Sequence, residues 1–136
     1  MINIITFDIK NNIFQIFTND TELMNILGCQ DDNESKDLKF RRQSKMLTEV
    51  DIGVLPFVSF VFIDASPTNN YLRNKGLLEL DIVCSSDYEA EQIYKKIIPL
   101  LQQRFEDFRI TAEGEVNSGI SGIYCYRIRF KPLVSS

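Results

Sequence analysis

Apolar side chains recur at helical spacing through residues 2–18. The stripe comprises Ile2, Ile5, Ile9, Ile13, Ile16 and Phe17. Asn11-Asn12 is also a hairpin-turn signal, but the stripe continues through it in phase, which favours an amphipathic helix. Asp20 or Thr21 can cap a second short helix over residues 21–27, and Gly28 ends it.

Residues 30–46 lack this regularity. The stretch is charged, with acidic residues first and basic residues after them, and it has two large apolar residues near its middle, Leu38 and Phe40. This composition predicts a charged surface loop or mobile arm rather than core.

The rest of the chain alternates strands with one long helix. Residues 55–63 form a near-continuous apolar run, typical of a strand covered on both faces. Residues 77–84 alternate apolar and polar positions. Ser86 and Glu89 form a capping box that starts a helix over 87–105, where Pro99 predicts a kink or a break. Two further strands, 108–116 and 123–131, follow.

The order is therefore helix, helix, strand, strand, helix, strand, strand. Two hairpins flank a long helix. This order predicts one α+β domain over residues 1–136, with a four-stranded, mainly antiparallel sheet and helices packed on one face.

Charge and cysteine usage narrow the functional classes. The net charge of the 136 residues is −4 and the isoelectric point is about 4.8, which argues against gripping nucleic acid through phosphate contacts. Cys29, Cys84 and Cys125 include no close pair, and the sequence has no histidine. We therefore expect reduced thiols and no structural zinc. No apolar run is long enough to cross a membrane, and residues 1–17 are too polar for a signal peptide.

The sequence also lacks the usual signals of catalysis. The commonest general base is missing because histidine is absent, and no nucleophile elbow or phosphate-binding loop occurs. The acidic run 31–34 lacks the glycine and the distal glutamate of a calcium loop. We expect no enzyme activity, metal or cofactor.

Two groups of charged residues are candidate interface residues. Glu79 and Asp81 line one face of the 77–84 strand, and Arg127 and Arg129 line one face of the last strand. If the two strands are neighbours, these charges pair across the sheet. The pairs then either belong to a wet sheet face or set the docking register of a neighbouring subunit that covers it.

The second group lies in the charged stretch and consists of Lys39, Arg41, Arg42 and Lys45. These residues could contact phosphate or an acidic partner. A solvated arm without such a role is the interpretation that the composition favours.

Four segments together resemble the tail terminator and head–tail joining proteins of long-tailed bacteriophages. They are FDIKNNIFQIFTNDTELMNILG, LPFVSFVFID, KGLLELDIVCSSDYEAEQIYKKIIPLL and SGISGIYCYRIRF. The resemblance implies a virion subunit, assembled in the host cytoplasm, that closes into a homohexameric ring. Such a ring caps the tail tube and joins it to the head connector, and DNA passes through it without specific binding. It implies no catalytic residues, and it does not extend to residues 30–46.

Two other classes stay open. A different neck, connector or tail-tube subunit would share small sheets, flexible arms and ring assembly. A ferredoxin-like module that binds a small ligand or a partner could also have two hairpins around a helix.

Overall fold

The computed structural model describes residues 2–43, 46–63, 77–105 and 108–131. Helices α1 (Ile2–Thr18), α2 (Thr21–Leu27) and α3 (Asn33–Lys39) come first, followed by strand β1 (Phe40–Arg41) and a 3₁₀ helix (Glu49–Val54). Among the described residues there follow strands β2 (Phe57–Ile63) and β3 (Leu77–Cys84), helix α4 (Asp87–Arg104) and strands β4 (Arg109–Val116) and β5 (Tyr124–Lys131). The α+β class is as predicted.

The helical caps follow from local chemistry. Helix α1 runs through Asn11-Asn12, so the helix interpretation is confirmed. Asp20 caps α2 by accepting a hydrogen bond from the Leu23 amide at 2.9 Å, and Gly28 ends that helix at φ 70°, where a side chain would be strained. Helix α4 continues through Pro99 as one element, so the predicted alternative of a break is wrong.

Within the described residues the sheet has five strands, in the order β1-β2-β3-β5-β4. The β2–β3, β3–β5 and β4–β5 pairs are antiparallel, and the short β1–β2 pair is parallel. The prediction of four strands missed β1, which lies in the charged stretch. Since β3 and β4 both pair with β5, helix α4 connects two parallel strands that have β5 between them.

The prediction of a loop or mobile arm at residues 30–46 is wrong at residues 33–41, which form α3 and β1. Asp32 caps α3 by accepting from the Ser35 amide at 2.7 Å. Phe40 is only 1% exposed, and its ring lies 5.9 Å from that of Phe17. One buried aromatic side chain therefore fixes this segment to the core, although charged residues surround it.

Helices α1, α2 and α4 cover one face of the sheet, which we call the helix face. It is built from Val58, Phe60, Leu78, Leu80, Ile82, Ile128 and Phe130, each at most 1% exposed. Ile93, Ile97 and Leu101 of α4 pack against it and are also fully buried. Burial of each such side chain contributes about 1.5–3 kcal/mol, so most of the stability of the fold comes from this layer.

Candidate assembly surface

The opposite side of the sheet, which we call the open face, carries a ladder of charged side chains. Glu79 lies opposite Arg129, and Asp81 lies opposite Arg127, in the β3–β5 register. The condition set for this charge pairing, that the two strands are neighbours, is therefore met. The helix face takes the alternate residues of the same strands, because side chains of a strand point to opposite faces in turn.

The ladder is fully connected within one chain. Arg127 donates to both oxygens of Asp81, from Nε at 2.9 Å and from Nη2 at 3.2 Å. Nε of Arg127 also lies 3.4 Å from Oε1 of Glu79, and Nε of Arg129 lies 3.1 Å from the same oxygen. The hydrogen bond to Asp81 raises the pKa of Arg127. Paired carboxylates and guanidinium groups make this surface polar without leaving its charges unsatisfied.

Burial differs along the ladder. The carboxylate side chains of Glu79 and Asp81 are 11% and 15% exposed, whereas those of Arg127 and Arg129 are 33% and 45% exposed. Water reaches the guanidinium groups, so each pair contributes at most about 1 kcal/mol to folding.

The other end of the open face is apolar and covered. Phe57, Val83, Ile123 and Cys125 form a second buried cluster. Leu47, Val54 and Leu55 pack against this cluster from the segment that contains the 3₁₀ helix. The prediction that the strand at residues 55–63 is covered on both faces is therefore confirmed only near Phe57. The prediction that only one face of the sheet is covered is corrected at the same place, because the segment that contains the 3₁₀ helix covers this end of the open face.

The segment from residue 47 to residue 55, which we call the cover, lies over this end of the open face. Two of the four predicted basic residues hold it in place. Lys39 Nζ donates to the carbonyl oxygens of Val54 at 2.8 Å and Pro56 at 3.1 Å. Arg41 Nη1 donates to Asp51 at 3.2 Å, and its guanidinium carbon lies 3.7 Å from the centre of the Phe57 ring. Their cationic groups are paired within the chain, and the prediction that they contact phosphate or an acidic partner stays a prediction.

Arg42 lies differently. Arg42 is exposed, donates to Asn11 Oδ1 at 2.8 Å, and stands 5.1 Å from the centre of the Phe14 ring. Lys45 lies outside the described residues. Lys39 and Arg41 are engaged within the fold and Arg42 is exposed, so these three residues do not act as one patch.

The sequence interpretation missed an apolar surface beside the open face. Met46, Val50 and Ile52 are 86%, 81% and 45% exposed. Val50 and Ile52 stand on the 3₁₀ helix, which begins at a capping box formed by Thr48 and Asp51. The spacing T-x-x-D at residues 48–51 is the signal that could have revealed this helix.

The described residues contain no group of three or more acidic or cysteine side chains placed to hold a metal ion. Within the same part of the chain, no helix is both long and apolar enough to cross a membrane. No protein-family model and no curated protein sequence matches the chain.

Proposed function

We propose that this protein is a structural subunit of a bacteriophage virion: the tail terminator, which closes into a hexameric ring and joins the tail tube to the head connector. The resemblance of four sequence segments suggests this role. The observation that carries it is the open face, where an ordered ladder of four charged residues lies on the side of the sheet that the helices do not cover.

An ordered charged ladder suits an assembly subunit for an energetic reason. Its charges are already paired within the chain, so the subunit can fold before it meets a partner. A protein that docks on this face meets fixed charges rather than mobile side chains, and fixed charges give register and specificity. Exposed Val50 and Ile52 supply apolar surface near the apolar end of the same face.

The acidic balance fits the passage of DNA. A net charge of −4 per chain gives a ring of such subunits a negative potential, which repels the phosphate backbone rather than holding it. In this role DNA passes through the ring without specific binding. The protein assembles in the host cytoplasm and remains in the neck of the virion.

Native mass spectrometry over a range of concentrations tests the proposal, followed by electron microscopy with purified tail tubes. We expect a closed ring near six copies, formed alone or at the tube end, and no growth beyond one ring. Long tubes would identify a tail-tube subunit instead. A monomer or dimer that ignores tube ends would contradict the proposal and favour the ligand-binding module.

A further inference from the structure

A cleft of about 230 Å³ opens on the helix side of the sheet, between α4 and the β4–β5 edge. The rings of Tyr94 and Tyr126 meet edge to face at 5.8 Å in its wall, and Tyr124 also lines it. The hydroxyl of Tyr126 donates to Glu113 Oε1 at 2.6 Å, and that of Tyr94 donates to Oε2 at 3.3 Å. We call this the tyrosine cleft.

A β-bulge brings Glu113 into the wall of this cleft and Glu115 beside it, against Tyr124. Ile110 pairs with Phe130 and Ala112 pairs with Arg129, so Thr111 is an extra residue in β4. After Thr111, side chains that regular alternation would direct to the open face point to the helix side, and their neighbours point the other way. Glu113 and Glu115 consequently lie on the helix side instead of the open face, opposite Ile128 and Tyr126.

The cleft carries negative charge that the described residues offset only in part. Asp87 and Glu91 of α4 line the cleft together with Glu113, and the ion pair of Lys95 with Glu91 at 3.7 Å is the one cationic contact that the described chain provides there. Burial, with a hydrogen bond to Glu115, raises the pKa of Tyr124 to about 12. The hydrogen bond to Glu113 raises the pKa of Tyr126.

These tyrosine hydroxyls therefore stay neutral at physiological pH, and the negative charge resides on the carboxylates. Aromatic faces beside carboxylates whose charge is only partly neutralised attract ammonium and guanidinium groups. The chemistry of the cleft thus fits a lysine or arginine side chain.

The opposite edge of the sheet is basic. A groove of about 740 Å³ lies among α1, α3 and β1, and its charged lining residues are Lys10, Asp37, Arg41 and Arg42. Burial lowers the pKa of Lys10, and repulsion by the Arg42 charge lowers it further. Arg41 is paired with Asp51. Lys10 and Arg42 form no ion pair with any described residue, so their charges remain available.

We propose that the tyrosine cleft of one copy receives the Lys10–Arg42 edge of the next copy. The strand order places β1 and β4 at opposite edges of one sheet. Two complementary sites on opposite edges give a head-to-tail contact, which repeats until a ring closes. This inference rests on the proposed ring and assigns its contact between copies, which leaves the open face for the other proteins of the tail.

Two charge-reversed variants test the contact. The first reverses the cleft, Glu113→Lys with Glu115→Lys, and the second reverses the groove, Lys10→Glu with Arg42→Glu. Each variant alone brings like charges together, so the concentration needed for assembly rises about tenfold or more. In an equal mixture every cleft can meet an oppositely charged groove if the two variants alternate. Native mass spectrometry should then show rings that contain both variants.

Matched controls carry the same charge changes elsewhere. Glu34→Lys with Glu49→Lys matches the first variant, and Arg104→Glu with Arg109→Glu matches the second, since all four side chains are exposed. Both controls should assemble like the wild type. Circular dichroism checks folding, and the neutral pair Glu113→Gln with Glu115→Gln replaces the first variant if that variant does not fold. It should still weaken assembly.

The outcomes separate this contact from the proposed function. If the wild type forms rings and each charge-reversed variant forms them equally well alone, the proposed contact is wrong and the terminator role is unaffected. The same conclusion follows if the mixture of the two variants regains no assembly. A wild-type chain that never self-associates, even at a tail-tube end, would contradict both. Restored rings in the mixture, with neither variant assembling alone, would support the contact.

Discussion

The two faces of the central sheet differ in what they do for the protein. On β3, Leu80 is fully buried on the helix face, whereas its neighbour Asp81 lies on the open face in an ion pair that water partly reaches. Burial of apolar area stabilises far more than a half-exposed ion pair. The helix face therefore holds the fold together, and the open face can change its charges without unfolding the chain.

The largest effect should come from the helix face. Leu80→Ala removes a fully buried side chain from the centre of the sheet and should lower the free energy of unfolding by about 2–5 kcal/mol. Val61→Ala on the open face, where the side chain is half-buried, should cost about 1 kcal/mol. Urea denaturation measures both. Equal losses would contradict the division between the two faces.

Arg41 should rank next, because it fastens the cover of the apolar end of the open face. Arg41→Ala removes the contact with Phe57 and leaves Asp51, which is 7% exposed, without this cation. We expect a loss of about 1.5–3 kcal/mol in the free energy of unfolding. Arg42→Ala is the matched control and should cost under about 1 kcal/mol. If the two variants lose the same stability, Arg41 does not hold the cover.

The ladder should contribute less. A double-mutant cycle with Asp81→Ala and Arg127→Ala should give a coupling energy of about 0.5–1 kcal/mol, because the two strands face each other in register but the guanidinium group meets water. Thermal or urea unfolding of the four proteins measures it. A coupling energy of several kcal/mol would show that the ladder contributes strongly to the stability of the fold, which contradicts the division between the two faces.

The smallest expected effect concerns how readily a thiol reagent labels the three cysteines. Cys84 lies on the helix face and Cys125 at the covered end of the open face, and burial raises their pKa values to about 11 and about 12. Both should stay protonated and unreactive toward a thiol reagent at pH 8, since only the thiolate reacts. Cys29 should label, and all three should label in denaturant. Rapid native labelling of Cys125 would show that the cover over the open face opens readily.

Much of this fold follows from local patterns. The stripe of α1, the caps of α2 and α4 and the alternation in β3 and β5 each depend on neighbours in sequence. Alternation also gave the charged face of each strand, but not that β3 and β5 are neighbours or which charges meet. The prediction of an arm at residues 30–46 missed α3 and β1 because composition is an average over the segment. One side chain, Phe40, determines where the segment lies. The roles of Lys39 and Arg41 depend on the fold of residues 49–57, which no nearby sequence signal connects to them.

The tyrosine cleft was beyond prediction for another reason. Sequence alternation through β4 assigns Glu113 to the wrong face, because the bulge at Thr111 reverses the strand's faces midway. A bulge depends on how two strands pair, and the sequence of one strand does not define it.

The most direct test of the open face as an assembly surface inverts its ladder. Glu79→Arg, Asp81→Arg, Arg127→Glu and Arg129→Glu together exchange every charge yet keep each pair within the chain. We predict a melting temperature close to that of the wild type, with joining to tail tubes or connectors lost in a sedimentation assay. An inverted variant that folds and joins its partners as the wild type does would contradict our account.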